Sequence, residues 1–193
     1  MVAAARSERY IEAPADSELA RRCVLGDEQA WRLLHQRYFG VVSAFLRRLG
    51  VGDGELEDAA QDVFLQVFRY LPGFREEAEL KTWLYQLCIT QARRTRRTQR
   101  VVATLRSVFR RTSPESLLAT PSLAEEAAAR RVDAALRTLC DAERTVFVLY
   151  EMEGLSGKEI AAVVGVKEAT VFARLHYARK GFRKALGFEE GDP

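Results

Sequence analysis

Apolar residues recur along the chain at intervals of three and four, the spacing that places them on one face of an α-helix. Glycines, prolines and capping residues separate these segments, and strictly alternating apolar and polar runs are missing. Ala, Leu, Arg and Glu, which favour helices, are abundant. The pattern predicts an all-α fold.

Helix breakers divide the first hundred residues into four predicted helices. Asp16 or Ser17 caps the first and Asp27 caps the second, since both residue types bind free amide groups at a helix start. Gly50 closes the second helix, and Pro72 follows the third. The predicted helices run over 17–26, 28–49, 54–70 and from 79 into an arginine-rich segment.

Composition changes after residue 97. Residues 98–122 mix basic and scattered apolar positions with Pro114 and Pro121, so we predict a flexible linker containing at most a short helix. Beyond it, the capping-box pairs Ser122/Glu125 and Ser156/Glu159 begin new helices. Predicted helices follow at 123–139, 141–152, 156–164 and 167–186.

These boundaries predict two small helical domains. An N-terminal tail over 1–16 precedes a first domain over 17–97, and the linker over 98–122 leads to a second domain over 123–187. A short tail over 188–193 ends the sequence given.

Charge is unevenly distributed. The net charge is only +3, but residues 80–114 carry nine basic side chains and no acid. Residues 53–62 carry five acids and no base. We therefore expect one surface for a polyanion and another for a basic partner.

The residues needed for a metal site or a disulfide framework are not grouped. The three cysteines lie far apart, no C-x-x-C pair occurs, and there are two histidines. We expect buried free thiols, no metal and no cofactor. No signal-peptide run and no apolar stretch of about 18 residues occur, which predicts a cytoplasmic protein without membrane insertion.

Residues 157–171 fit the sequence pattern of a DNA-binding helix-turn-helix. Ala161 provides a small side chain where two helices cross, and Gly165 provides the backbone freedom of the turn. An ordinary helical hairpin is the alternative. In the helix-turn-helix interpretation, Arg174 reads guanine and Phe172 or Ala173 contacts a thymine methyl group. The candidate contacts are Lys167, Glu168, Thr170, Phe172, Ala173, Arg174, Tyr177 and Lys180.

Two motifs in the first domain add to this interpretation. Asp58-Ala-Ala-Gln-Asp-Val-Phe64, with Leu80-Lys-Thr-Trp-Leu-Tyr85 behind it, resembles region 2 of extracytoplasmic-function sigma factors. Residues 139–149 and 153–161 resemble region 4 of the same family. The resemblance covers about 18–97 and 125–187. It implies a specificity subunit of bacterial RNA polymerase with no catalytic activity of its own.

The resemblance also implies the partners and their contacts. Core RNA polymerase would bind one helix, single-stranded −10 promoter DNA the next, and duplex −35 DNA the helix-turn-helix; an anti-sigma factor would regulate them. The polymerase contacts would be Asp58, Gln61, Asp62, Phe64, Leu65 and Phe68. The −10 contacts would be Arg75, Glu76, Glu77, Trp83, Tyr85, Thr90, Arg93, Arg94 and Arg97.

Alternatives remain for the residues and for the whole chain. One of Phe64 and Phe68 would be core, and Trp83 and Tyr85 fit a structural role at least as well as base stacking. Thr90 stands where the family usually has Asn, which leaves the promoter sequence open. A free-standing helix-turn-helix regulator explains the second domain but not residues 54–97, and a nuclease lacks a catalytic constellation.

Overall fold

The computed structural model describes residues 14–74, 79–109 and 123–188, without the side chains of 100–109 and 123–126. These ranges contain helices and no strand, which confirms the predicted all-α fold. A short 3₁₀ turn, Leu71–Gly73, and a turn of π-helix, Val148–Met152, accompany the α-helices. The α-helices are α1 Asp16–Val24, α2 Glu28–Arg48, α3 Asp53–Tyr70, α4 Leu80–Phe109, α5 Leu123–Thr138, α6 Asp141–Phe147, α7 Gly157–Val164 and α8 Glu168–Ala185.

The N-terminal unit, α1 to α4, packs around α2. This helix contacts α1, α3 and α4, and its Leu34 and Phe45 are fully buried. The rings of Phe45 and Tyr85 lie 4.4 Å apart, which joins α2 to α4. As predicted, Asp27 caps α2 by accepting hydrogen bonds from the amides of Gln29 and Ala30.

The start of α1 differs from the prediction. Ala15 occupies the capping position, so neither Asp16 nor Ser17 is the cap. The carboxylate of Asp16 instead accepts hydrogen bonds from Arg37, at 2.7 Å, and from the hydroxyl of Tyr38. A tertiary contact with α2 has thus replaced the local capping bond, because one carboxylate satisfies two partly buried donors there.

α4 extends into the predicted linker. It continues through Phe109, so residues 98–109 are helical, in a longer helix than the short one expected there. The helix continues because no glycine or proline lies between Leu80 and Phe109 to interrupt it. Residues 110–122, with both prolines and Ser122, lie outside the described residues.

The C-terminal unit, α5 to α8, packs around α8. This helix contacts α5, α6 and α7 and buries Val171, Leu175 and Ala178. The rings of Phe147 and Phe182, 4.6 Å apart, join α6 to α8. The π-helical turn that follows α6 ends at Met152 and leads to Glu153 at the surface facing the N-terminal unit.

Two of the cysteines meet the expectation and one does not. Cys23 and Cys88 are buried free thiols, and burial raises the pKa of Cys88 to about 12. Cys140 is exposed, so the expectation of a buried thiol is wrong there. Cys140 precedes α6 at its capping position, outside the apolar face that the helix buries.

The two units are in contact. We expected separate bodies joined by a linker, but α4 contacts α7 and α2 contacts α5. Buried apolar side chains of both units form one cluster, because the surfaces that meet are partly apolar.

Candidate polymerase and nucleic-acid interfaces

α7 and α8 have the geometry of a helix-turn-helix. The hydroxyl of Ser156 accepts a hydrogen bond from the amide of Glu159, whose carboxylate accepts one from the amide of Ser156 at 2.7 Å. This capping box begins α7 as predicted. Gly165 ends it in the left-handed conformation, with φ of 70°, and Ile160 and Val171 are buried between the helices. The turn thus holds α8 at a defined angle.

The outward face of α8 carries the predicted −35 contacts. Lys167, Glu168, Ala173, Tyr177 and Lys180 are exposed. Thr170 and Arg174 are half-buried, and Phe172 is 46% exposed. The structure thus brings the predicted residues onto one helix with accessible side chains, as a helix that enters the major groove requires.

Phe172 is supported on one side. A side-chain carbon on Gly157 would lie 2.7 Å from its ring, so the ring rests directly on the first turn of α7. The ring of Tyr150 meets it edge-on at 6.4 Å. Phe172 is therefore positioned by two neighbours while its remaining surface stays accessible.

Arg179 has a partner that the sequence did not indicate. Its guanidinium lies 2.6 Å from the carboxylate of Glu151 and over the ring of Tyr150 at 5.4 Å. The positive charge along α8 is therefore partly neutralised at Arg179.

The α3 face, formed by Asp58, Gln61, Asp62, Leu65 and Phe68, is exposed. Leu65 and Phe68 expose 66% and 64% of their surfaces, an unusual degree for large apolar residues. Phe64 is half-buried, with its ring 4.5 Å from His35. Of the two phenylalanines, Phe64 packs against the core, whereas Phe68 is exposed.

Neighbouring helices enlarge this apolar surface. The ring of Trp31 lies 5.0 Å from that of Phe68, and its indole donates to the carbonyl of Cys23 at 3.0 Å. Val24 and Leu25, at the end of α1, are exposed. None of Trp31, Val24 and Leu25 was among the predicted contacts, although the adjacent apolar pair just before Gly26, off the helical period, was a signal for an exposed apolar site.

Six of the predicted −10 residues lie on α4, between Trp83 and Arg97. Thr90, Arg93, Arg94 and Arg97 are exposed. Trp83 is half-buried, with its ring 5.2 Å from that of Phe74. Arg75, Glu76 and Glu77 lie outside the described residues.

A surface cleft of about 210 Å³ lies between α3 and α4. It is lined by residues of the α3 face on one side and by predicted −10 residues on the other. Asp62 accepts a hydrogen bond of 2.8 Å from the buried amide of Gln91, which in turn accepts one from Gln66. Asp62 is therefore held against α4 by this network. The cleft is lined by Asp62, Leu65, Gln66, Arg69, Tyr70, Thr90, Gln91 and Arg94.

Among the described −10 residues, Tyr85 is the inaccessible one. It is 1% exposed, and its hydroxyl donates to Glu153 of the C-terminal unit. Burial and this carboxylate raise the pKa of Tyr85 far above its usual value. In this arrangement Tyr85 is a structural residue, the alternative that the sequence left open.

Among the described residues, no three His, Cys, Asp or Glu side chains lie close enough to hold a metal ion. In the same part of the chain, no helix is both long and apolar enough to cross a membrane.

Comparison with known proteins agrees with these two units. Residues 34–101 match the family described as Sigma-70 region 2, and residues 129–180 match Sigma-70, region 4. The RNA polymerase sigma-H factor of Pseudomonas aeruginosa is 30% identical over 180 residues, which cover 89% of this chain and 93% of that protein. The chain belongs to the extracytoplasmic-function sigma factors. The ECF RNA polymerase sigma-E factor of Escherichia coli K12 is 28% identical to this sigma factor over 86% of the chain and 91% of that protein.

Two solved structures resemble this sigma factor in fold. CnrH, in complex with the cytosolic domain of CnrY, has a TM-score of 0.68 and 25% identity, covering 92% of this chain and all of CnrH. The sigma factor RpoE of Bartonella quintana, in complex with the anti-sigma factor NepR, has a TM-score of 0.64 and 21% identity. That match covers 82% of this chain and 98% of RpoE. The family acts in transcription initiation together with RNA polymerase.

Proposed function

We propose that this sigma factor binds core RNA polymerase through the α3 face and directs initiation at promoters that carry matching −10 and −35 elements. The observation that supports the proposal most directly is that two different binding surfaces are exposed in one chain. The α3 face is acidic and apolar, whereas the α8 face is that of a helix-turn-helix.

The α3 face has the chemistry of a protein-binding surface. Exposed Leu65 and Phe68 supply apolar area to bury, and Asp58 and Asp62 attract a basic partner before contact. Core polymerase is the proposed partner, and a protein that works with it acts in the cytoplasm.

DNA would be read in two forms. The exposed arginines of α4 would hold the backbone of the melted −10 strand, with Thr90 beside them. Residues of α8 would read duplex −35 DNA in the major groove, with Arg174 on guanine and Phe172 on a thymine methyl group. Two elements of different structure account for two DNA-binding units in one chain.

An anti-sigma factor is the proposed regulator. The solved structures of CnrH and of RpoE from Bartonella quintana are complexes with CnrY and with the anti-sigma factor NepR. The exposed apolar residues of the α3 face offer such a partner a surface as well, because the described part of the chain does not cover them.

The first experiment is co-purification with core RNA polymerase, followed by run-off transcription from a promoter library. Stable association and initiation from a subset of promoters are expected. Tight binding to duplex DNA by the protein alone, with no polymerase association, would overturn the proposal in favour of a free-standing regulator.

Charge reversal on the α3 face tests the contact residue by residue. Asp58→Arg is preferable to a change at Asp62, because Asp62 is bound to Gln91 inside the protein. We expect it to weaken polymerase binding about tenfold or more, by replacing attraction with repulsion. Asp133→Arg on α5 makes the same change in charge away from the α3 face and is the control. Equal losses in both variants, measured by competition binding, would show that only net charge matters.

A further inference from the structure

Glu153 lies where the two units meet. Its side chain is 7% exposed and belongs to the C-terminal unit, but its partners belong to the N-terminal unit. One carboxylate oxygen is 2.7 Å from the guanidinium of Arg48 on α2. The other accepts the hydroxyl hydrogen of Tyr85 and lies 3.5 Å from the ammonium of Lys81, both on α4. One carboxylate therefore receives two cations and a hydroxyl from the opposite unit.

A second set of contacts joins the units at the end of α2. The carbonyl of Leu49 accepts hydrogen bonds from Arg144 of the C-terminal unit, at 3.1 Å, and from Arg96 on α4, at 3.3 Å. Arg96 also pairs with Asp141 at the start of α6. A side-chain carbon on Gly50 would lie 2.3 Å from the Arg144 guanidinium, so this approach requires glycine there.

This arrangement is incompatible with binding both promoter elements at once. The inference rests on the proposed function, in which the two elements are about two helical turns apart, or roughly 70 Å. α7 contacts α4 directly, α8 packs on α7, and α8 is about 27 Å long. Packed helices are about 10 Å apart, so α8 cannot reach a site that far from α4.

The same contacts cover a predicted DNA contact. Tyr85 is buried while its hydroxyl is bound to Glu153, and Lys81 and Arg48 direct their positive charge at a carboxylate rather than at phosphate. The closed arrangement therefore withholds Tyr85 from the −10 strand, while Thr90, Arg93, Arg94 and Arg97 stay exposed.

We propose that the contact between the two units is an autoinhibitory latch, formed by Glu153 with Arg48, Lys81 and Tyr85, that must open before this sigma factor engages a promoter. The α3 face is exposed in the closed arrangement. Core polymerase can therefore bind the closed form first, and opening separates the helix-turn-helix from α4 afterwards.

Distance measurement in the free, full-length protein tests the latch. Spin labels are attached at two exposed positions, Arg32→Cys on α2 and Lys184→Cys on α8. Pulsed electron spin resonance then measures the distance between the two units. Cys140→Ser removes the exposed native thiol, which would otherwise be labelled as well. The wild-type background should give one short distance. Glu153→Lys places a third cation beside Arg48 and Lys81 and should raise the fraction of long distances about tenfold or more.

The matched control is Glu151→Lys. Glu151 is two residues away but pairs with Arg179 inside the C-terminal unit, so the same change in charge should leave the distance as in wild type. Arg48→Glu reverses the charge from the other side of the latch and should open the chain as Glu153→Lys does. Circular dichroism verifies that each variant is folded.

Either of two results would overturn the latch: long distances already in the wild-type protein, or unchanged short distances in both Glu153→Lys and Arg48→Glu. These measurements contain no polymerase, so they are independent of the proposed function. A closed, Glu153-dependent protein that fails to bind polymerase would reject the function and retain the latch.

A binding assay links opening to DNA. The probe is a −10/−35 duplex, selected in the run-off library, with its −10 region pre-melted. Glu153→Lys should bind this probe about tenfold more tightly than wild type, because a larger fraction of the protein is then in the open form that binds DNA. Asp133→Lys on α5, which makes the same change in charge and leaves the Glu151–Arg179 pair on α8 intact, corrects for general attraction to DNA. Equal gains in both variants would contradict the proposal.

Discussion

At the scale of the residue, Arg144 shows how a buried cation is accommodated. It is 2% exposed, and its guanidinium donates to the carbonyls of Leu136, Leu139 and Arg137 at 2.6, 2.8 and 3.0 Å, and to that of Leu49. These carbonyls lie at the ends of α5 and α2, where helices carry partial negative charge. Burial lowers the pKa of Arg144 to about 10, which leaves it protonated at neutral pH.

Arg144→Met should therefore destabilise the protein. Methionine fills a similar volume but leaves several buried carbonyls without donors, at a cost of about 2–4 kcal/mol in the free energy of unfolding. Urea unfolding measures it. Arg137→Met, at an exposed arginine of the same unit, is the control and should change stability by less than about 0.5 kcal/mol. A cost at Arg144 no larger than at Arg137 would contradict this account.

At the scale of the element, local signals determine the ends of the helices. The capping box at Ser156 begins α7, and Gly165 ends it, because a hydrogen bond across three residues and a left-handed glycine act within one helical turn. The same signals are weaker where tertiary contacts compete, as Asp16 shows by binding Arg37 and Tyr38 rather than capping α1.

Gly165→Ala tests the turn between α7 and α8. No atom lies within 4 Å of where the methyl group would go, so the cost comes from the φ of 70° alone. We expect a loss of about 1 kcal/mol in stability and weaker −35 binding. Gly40→Ala, in open space within α2, should instead be neutral or stabilising, because alanine favours helix. Thermal unfolding distinguishes the two; a stabilised Gly165→Ala would exclude strain at this turn.

At the scale of the whole molecule, contacts between the units decide which surfaces are available. The pairing of Arg48 with Glu153 joins residues 105 positions apart, and that of Tyr85 with Glu153 joins residues 68 apart. These contacts cover Tyr85, whereas the α3 face remains exposed. Which candidate residues can act thus depends on how the units are packed.

A double-mutant cycle on Arg96 and Asp141 measures coupling between the units. These side chains pair across the interface, so the stability losses of Arg96→Ala and Asp141→Ala should overlap by about 0.5–2 kcal/mol. Arg97, adjacent but exposed, should show no coupling to Asp141. Losses that simply add for Arg96 and Asp141, in urea unfolding of the full chain, would mean that the units do not pack in solution.

The sequence by itself determined the helical fold, the helix-turn-helix and most helix boundaries. Apolar periodicity, caps and glycines act over a few residues, so their effects can be predicted without knowing what lies across the fold. The order of the motifs also determined the family, because the region 2 and region 4 motifs follow one another along the chain and each has a specific sequence pattern. The extension of α4 to Phe109 follows from the absence of helix breakers, which outweighs the basic composition of this segment.

Only the tertiary structure decided which apolar residues are buried and which are left exposed. Phe64 and Phe68 have the same residue type and are one helical turn apart, but His35 and Phe39 on α2 cover part of Phe64 and leave Phe68 exposed. In the same way, nothing in the local sequence distinguishes Glu153 from an exposed acidic residue; the packing of the two units places Arg48, Lys81 and Tyr85 around it. Burial and long-range pairing are properties of the assembled fold, since they depend on residues that no local pattern brings together.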